Sequence, residues 1–275
     1  MTEPLLYPIR EVARLTGVNP VTLRAWQRRY GLVEPARTDK GHRLYSQQDI
    51  ELIRRILAWL ELGVSIGQVP ALLAQPASSP AEPGDHWRDR IDALDEALLA
   101  LNQRRLESLL SELSASYPLP LWRRQVLTPW LERLAQLPER PDGAALQAFA
   151  LQFLELYFGR RLVAQDKGRP LTLAGAGRLP PLALVLTALE AREAGFAVTL
   201  LRQLSVREAR LLAPRLNGPL LVLLGAGLSG ELGEPWPDGT VLLGELAQLY
   251  DGASLGAPVC QSLTAWLAQV DGEEA

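Results

Sequence analysis

Tyr7–Ser46, YPIREVARLTGVNPVTLRAWQRRYGLVEPARTDKGHRLYS, carries the reading that decides the fold. Ile9, Val12, Ala13 and Leu15 recur at helical spacing, and Thr16-Gly17-Val18 then stops that helix in a tight turn. Asn19 is a natural N-cap with Pro20 at the first helical position, so a second helix is predicted through Tyr30, with Leu23 and Trp26 directed inward. Thr22, Arg24, Gln27 and Arg28 are then expected to face outward, with Tyr30 closing the same helix. Leu32 is assigned to the core beside Leu23 and Trp26.

Downstream, Pro35–Ser46 reads as a two-stranded wing: Arg37-Thr38, a turn at Asp39-Lys40-Gly41, and His42–Tyr45. Gly41 supplies the positive φ the turn needs. Two short helices at a tight turn followed by a wing form a winged helix-turn-helix, whose second helix suits a DNA major groove. Arg37, Lys40, Arg43 and Tyr45 are placed to hold phosphate, which positions such a helix without reading bases. Ser46 is expected to cap a helix over Gln47–Leu62, with another over Ser65–Leu73.

Charge follows the same division. The net charge of the 275 residues is −3, yet residues 1–75 carry ten Lys or Arg against seven Asp or Glu, leaving −6 for the remainder. The first part can meet phosphate, while the acidic remainder is expected to stay soluble. Hydrophobic residues at 48% and charged residues at 21% indicate a folded chain throughout. A length of 275 residues accommodates two or three domains. No apolar run reaches membrane-spanning length and the N-terminal residues lack a signal-peptide core, so a cytoplasmic protein with no membrane partner is expected. The single Cys260, with only His42 and His86 to assist it, argues against a metal site.

Residues Gln75–Asp85, QPASSPAEPGD, read as a linker (residues 76–86) that gives the DNA-binding part orientational freedom. From Trp87 to Asp166 helical periodicity returns, with Ile91, Leu94, Leu98 and Leu101 on one face, and further helices over Leu106–Leu113, Trp122–Leu137 and Ala144–Gln165. Four helices with short connections predict a four-helix bundle, with Trp122, Trp130, Phe149, Phe153, Tyr157 and Phe158 in its core. From residue 167 strands and helices alternate: strands at Pro170–Ala176, Phe196–Arg202, Leu220–Leu224 and Thr240–Gly244, helices at Pro180–Ala194, from Ser205 to Asn217, and at Gln261–Val270. This order predicts an α/β Rossmann-like domain with helices on both faces of a parallel sheet. The chain is thus expected to be multidomain: winged helix-turn-helix, bundle, then α/β domain.

Gly225–Gly230 fits G-x-G-x-x-G, but Pro235 and Pro237 deny it the helix that would hold pyrophosphate, so it reads as a glycine-rich loop. An NAD-dependent enzyme is accordingly ranked last, and no catalytic triad, carboxylate pair or P-loop is present.

EVARLTGV, TLRAWQRRYGL and GHRLYS closely resemble the N-terminal domain of MerR-family transcriptional regulators, over residues 6–75. The resemblance implies DNA reading by Thr22, Arg24 and Arg28 on the recognition helix and backbone contacts by Arg43 and Tyr45; His42 stands where many relatives carry Tyr. It implies a homodimer on a dyad-symmetric promoter, with assembly into a tetramer left open. The three-part layout is similar to the cobalamin-binding branch of the family. That branch ligates cobalt through a histidine in a D/E-x-H-x-x-G loop; here Gly177–Leu182 puts Leu179 at that position. Ala148–Phe153 lacks the branch's Glu-His pair, and Gly244-Glu245 replaces a Gly-Gly. Leucine has no lone pair for cobalt, so no cofactor is expected and the C-terminal part is read as sensing another signal or docking a regulatory protein. The alternative is a cofactor-binding photoreceptor that retains cobalamin or another ligand.

Overall fold

A computed structural model describes residues 5–38, 40–74, 85–163, 168–228, 235–250 and 252–273. The chain divides into two compact units, residues 1–150 and 151–275. The expected linker falls almost wholly on residues 75–84, which, like Asp39 of the expected turn, are outside the described residues.

In the first unit, α1 (Ile9–Thr16) ends at Gly17 with φ 70°, and α2 (Pro20–Tyr30) starts where Asn19 accepts a bond from the Thr22 amide at 2.9 Å. The capping residue and proline therefore act as anticipated. Strands β2 (Ala36–Arg37) and β3 (Arg43–Tyr45) form the wing. A strand not anticipated, β1 (Tyr7–Pro8), pairs with the other edge of β3, setting Tyr7 opposite Tyr45. Two residues are too short to show a period, which is why the pattern missed it.

Ser46 and Asp49 build a reciprocal capping box on α3 (Gln47–Glu61), which turns Ile50, Ile53, Ile56 and Leu60 into the core. Ser65 bonds the Gln68 side chain in a turn, so α4 spans only Val69–Ala74. The middle helices are α5 (His86–Leu99), α6 (Gln103–Ser116), α7 (Leu119–Trp122), α8 (Thr128–Gln136) and α9 (Gly143–Val163), the last crossing the division between units. Ile91, Leu94 and Leu98 are buried, but Leu101 is exposed at φ 49°, because α5 has already ended and the chain is turning. The helix expected over Trp122–Leu137 is interrupted: Arg123–Leu127 forms a wider π-type turn between α7 and α8.

Hydrogen bonds of buried aromatic side chains join the winged segment to these helices. Trp26 Nε1 donates to the Ser116 carbonyl at 2.7 Å, Trp87 Nε1 to the Leu60 carbonyl at 2.9 Å, and the Ile66 amide to the Tyr117 hydroxyl at 3.4 Å. Tyr117 also bonds His86 Nε2 at 2.7 Å and meets Trp87 edge-on at 4.8 Å between ring centres. Burial of these indole and phenol groups is supportable because each polar end finds a partner. The segment containing the recognition helix is thus seated on α5 and α6.

The second unit holds a five-stranded sheet of β4 (Arg169–Ala176), β5 (Phe196–Leu201), β6 (Leu220–Leu224), β7 (Thr240–Leu243) and β8 (Val259–Cys260), all parallel in the order β5-β4-β6-β7-β8. The two-residue β8 was not anticipated. Helices α10 (Ala183–Glu193), α11 (Val206–Leu212), the short α12 (Gly252–Leu255) and α13 (Leu263–Glu273) complete the unit. Pro180-Pro181 and Leu182 at φ 64° delay α10 by three residues, and Pro214 turns the end of the α11 segment into a 3₁₀ turn.

Alternate residues of each central strand serve opposite faces. Ala174, Ala176, Val222 and Leu242 pack with α11, while Leu171, Leu173, Leu221 and Leu243 pack with α10 and α13. A sheet buried on both sides favours a continuous apolar run such as that of β6. This order, 2-1-3-4-5 in sequence of appearance, reverses direction between β4 and β6, where open α/β sheets form a crevice at their carboxyl ends.

Candidate nucleic-acid interface

The recognition helix α2 presents Arg24 and Arg28 to solvent, with Arg29 beside them, while Leu23 and Trp26 are essentially fully buried. Gln27 and Tyr30 are half-buried at the margin. On the wing Arg37, Lys40 and His42 are exposed and Arg43 is half-buried. The wing turn is fixed by backbone bonds, Thr38 amide to His42 carbonyl at 2.9 Å and Gly41 amide to Thr38 carbonyl at 2.7 Å, with Gly41 at φ 78°. Cationic groups on both the helix and the wing therefore sit on rigid backbone, the arrangement that clamps a phosphate backbone.

Two of the anticipated side chains are placed differently. Thr22 does not face outward: it is completely buried in the first turn of α2, on the inward side of the helix with Leu23, Ala25 and Trp26. Tyr45 is 1% exposed and packs under the wing, so its hydroxyl is not presented to solvent for phosphate. Both hydroxyls are buried without a hydrogen-bond partner among the described residues. Burial pushes the Tyr45 phenol upward from its ordinary range, against the opposing pull of Arg43 and Arg24.

The wing and the recognition helix are tied by a side-chain bond, Arg43 Nε donating to Gln27 Oε1 at 2.8 Å. Gln27 was read only as outward-facing; sixteen residues separate the two, and no local spacing rule pairs them. On α3, Arg54 and Arg55 are also exposed, Arg55 lying 5.5 Å from the Trp59 ring centre.

In the second unit, the residues at the β4/β6 crevice do not fit cobalamin. Leu179 offers no lone pair, and its side chain occupies the space over Gly175, where an added Cβ would lie 2.7 Å from Leu179 Cδ1. The loops after β4 and β6 are joined by a two-way backbone bridge, Arg178 amide to Ala226 carbonyl at 2.8 Å and Ala226 amide to Arg178 carbonyl at 3.0 Å. Gly225 permits that approach, since a Cβ there would sit 2.4 Å from the Arg178 oxygen. At this loop junction Gly225 and Leu228 are buried while Ala226 and Gly227 are exposed; Ser229 and Gly230 lie outside the described residues. Among the described residues no cluster of His, Cys, Asp or Glu could hold a metal, and no helix is long and apolar enough to cross a membrane.

Comparison with known proteins bears on both units. The MerR helix-turn-helix regulatory protein family matches residues 7–75. The HTH-type transcriptional regulator MlrA of Salmonella typhimurium (strain LT2) is 42% identical over 129 residues, 47% of this chain and 52% of the relative. MlrA of Escherichia coli (strain K12) is 41% identical over the same length. The chain thus spans about half the length of the MlrA relatives it matches. The HTH-type transcriptional repressor CarH of Myxococcus xanthus is 30% identical over 217 residues, covering 72% of this chain and 71% of that protein, and so reaches into the α/β unit. On this evidence the chain belongs to the MerR family of helix-turn-helix regulatory proteins.

Proposed function

We propose that this protein is a sequence-specific transcriptional regulator that binds double-stranded promoter DNA as a homodimer, with its α/β unit taking a signal or a regulatory protein without B12. The observation that carries the reading is the paired cationic surface of α2 and the wing, Arg24 and Arg28 with Arg37 and Lys40, on backbone held by caps and turn bonds. One recognition helix spans too few base pairs for useful specificity, so two copies on a dyad-symmetric site follow from the geometry of reading. The proposed contact set is Arg24, Arg28 and Tyr30 from the helix and Arg37, Lys40, His42 and Arg43 from the wing. Nothing in the described residues assembles catalytic chemistry, and the proposal needs none.

The α/β unit supports signal input through its retained layers, while Leu179 and the Arg178–Ala226 bridge disfavour the cobalamin-dependent alternative. The test is binding of labelled genomic duplex fragments by the full chain across a salt series. Selective retention of a dyad-symmetric fragment, with log affinity falling linearly in log salt, is the expected result. Uniform, weak retention of every fragment would refute sequence-specific regulation.

A further inference from the structure

We propose that Gln27 is a positioning residue of the DNA interface, holding the Arg43 guanidinium so that the wing meets phosphate in one fixed geometry; the proposal rests on the DNA-binding reading above. Arg43 Nε bonds Gln27 Oε1 at 2.8 Å, and both side chains are half-buried between α2 and β3. The chemistry fixes the orientation of both groups. A guanidinium only donates, so the Gln27 amide must turn its carbonyl toward Arg43 and its NH₂ away.

Using Nε for this bond leaves the Nη edge of the fork for another acceptor. That edge can bond two phosphate oxygens in parallel, which a freely rotating side chain meets only at an entropic penalty. The backbone on each side is already rigid: Arg43 lies in β3, paired on both edges, and Gln27 in the third turn of a capped helix. The bond thus couples the position of the wing to that of the recognition helix, so that a phosphate contact by one sets the register of the other. Arg24, on the same helix one turn earlier, lies near enough to Tyr45, two residues beyond Arg43, to act on its phenol, a second side-chain approach between α2 and β3.

The role differs from direct contact in a measurable way. A group that neutralises phosphate releases counterions and contributes to the salt slope; a neutral group that only orients it does not. The experiment is a double-mutant cycle with the full chain, Gln27→Met, Arg43→Ala and both, titrated against a mixed-sequence duplex of about 30 base pairs across a salt series. Methionine keeps the length and removes the acceptor. Gln27→Met is expected to weaken binding about 3–10-fold with the salt slope unchanged. Arg43→Ala is expected to reduce the slope by about one unit, and adding Gln27→Met to it should cause no further loss.

A loss from Gln27→Met that persists undiminished in the Arg43→Ala background would mean that Gln27 touches DNA on its own account and would overturn the proposal. So would an unchanged affinity for Gln27→Met. Gln27→Ala, read in the same cycle, separates loss of the acceptor from any effect peculiar to methionine. Absence of salt-dependent binding by the unaltered protein would instead strike the DNA-binding reading itself.

Discussion

The indole of Trp26, on the recognition helix, donates its Nε1 hydrogen to the carbonyl of Ser116 at the end of α6, at 2.7 Å and away from solvent. Ser116 is one of the last residues of α6, where carbonyls lack helical partners, so a side chain ninety residues away supplies a bond the helix itself cannot. The element read as DNA-facing is thereby anchored on its inner side to the helical segment. Trp26→Phe removes the donor and part of a fully buried ring while keeping an aromatic. A loss of about 1–3 kcal/mol is expected in urea unfolding followed by tryptophan-independent circular dichroism. A variant as stable as the parent would show that the bond contributes nothing net.

His86 makes the same junction sensitive to pH. Burial lowers its basicity, reinforced by nearby Arg90 and opposed by Asp89 and Glu112, while its Nε2 bonds the Tyr117 hydroxyl, itself pushed up to about 12 by burial. The folded protein therefore binds the imidazole proton less tightly than the unfolded chain. His86 accordingly favours the fold fully above the unfolded value of about 6.5, and that contribution is lost as pH falls through the depressed folded value. Urea midpoints at pH 5, 6 and 7.5 should rise with pH in the parent and rise less in His86→Gln; parallel profiles would exclude the histidine as their source.

Arg24 and Arg43 are expected to fail in different ways. Arg43→Ala should weaken binding to all duplexes alike and lower the salt slope by about one unit, as loss of a phosphate contact does. Arg24→Ala should cost about 1–3 kcal/mol chiefly on the preferred site. Anisotropy titrations on specific and mixed-sequence duplexes distinguish them, and an equal loss on both for Arg24→Ala would remove it from base reading.

The bridge between the β4 and β6 loops depends on Gly225. Alanine there places a methyl group 2.4 Å from the Arg178 oxygen, so the loops must part or the strand ends must shift. A destabilisation of about 1–3 kcal/mol is expected for the α/β unit. Hydrogen exchange at Arg178 and Ala226, whose amides form the bridge, should accelerate in this variant; unaltered exchange would mean the bridge does not hold the loops.

Leu179 gives a cofactor test that needs no mutation. After incubation with adenosylcobalamin and desalting in the dark, the protein is expected to elute without the cofactor's visible absorption, because the residue at the ligand position has no donor atom. Retention near one equivalent would restore the photoreceptor alternative.

What the amino-acid order determined by itself was whatever depends on neighbours in the chain. Asn19-Pro20 starts α2, the Ser46/Asp49 and Ser205/Glu208 boxes start α3 and α11, Gly17 and Gly41 turn the chain, and a continuous apolar run makes β6. These signals are local because capping bonds and positive-φ turns close within a few residues, and they sufficed for the winged segment and the α/β alternation. The exposed Arg24, Arg28, Arg37 and Lys40 were legible for the same reason: helical period and hairpin turn already set which way they point. Only the tertiary structure decided that Thr22 and Tyr45 lie inside, that β1 and β8 complete their sheets, that Trp26 reaches Ser116 and that Gln27 grips Arg43. Each of those depends on which distant segment arrives beside the residue, and a two-residue strand or a lone amide acquires its role only from the partner that packing brings to it.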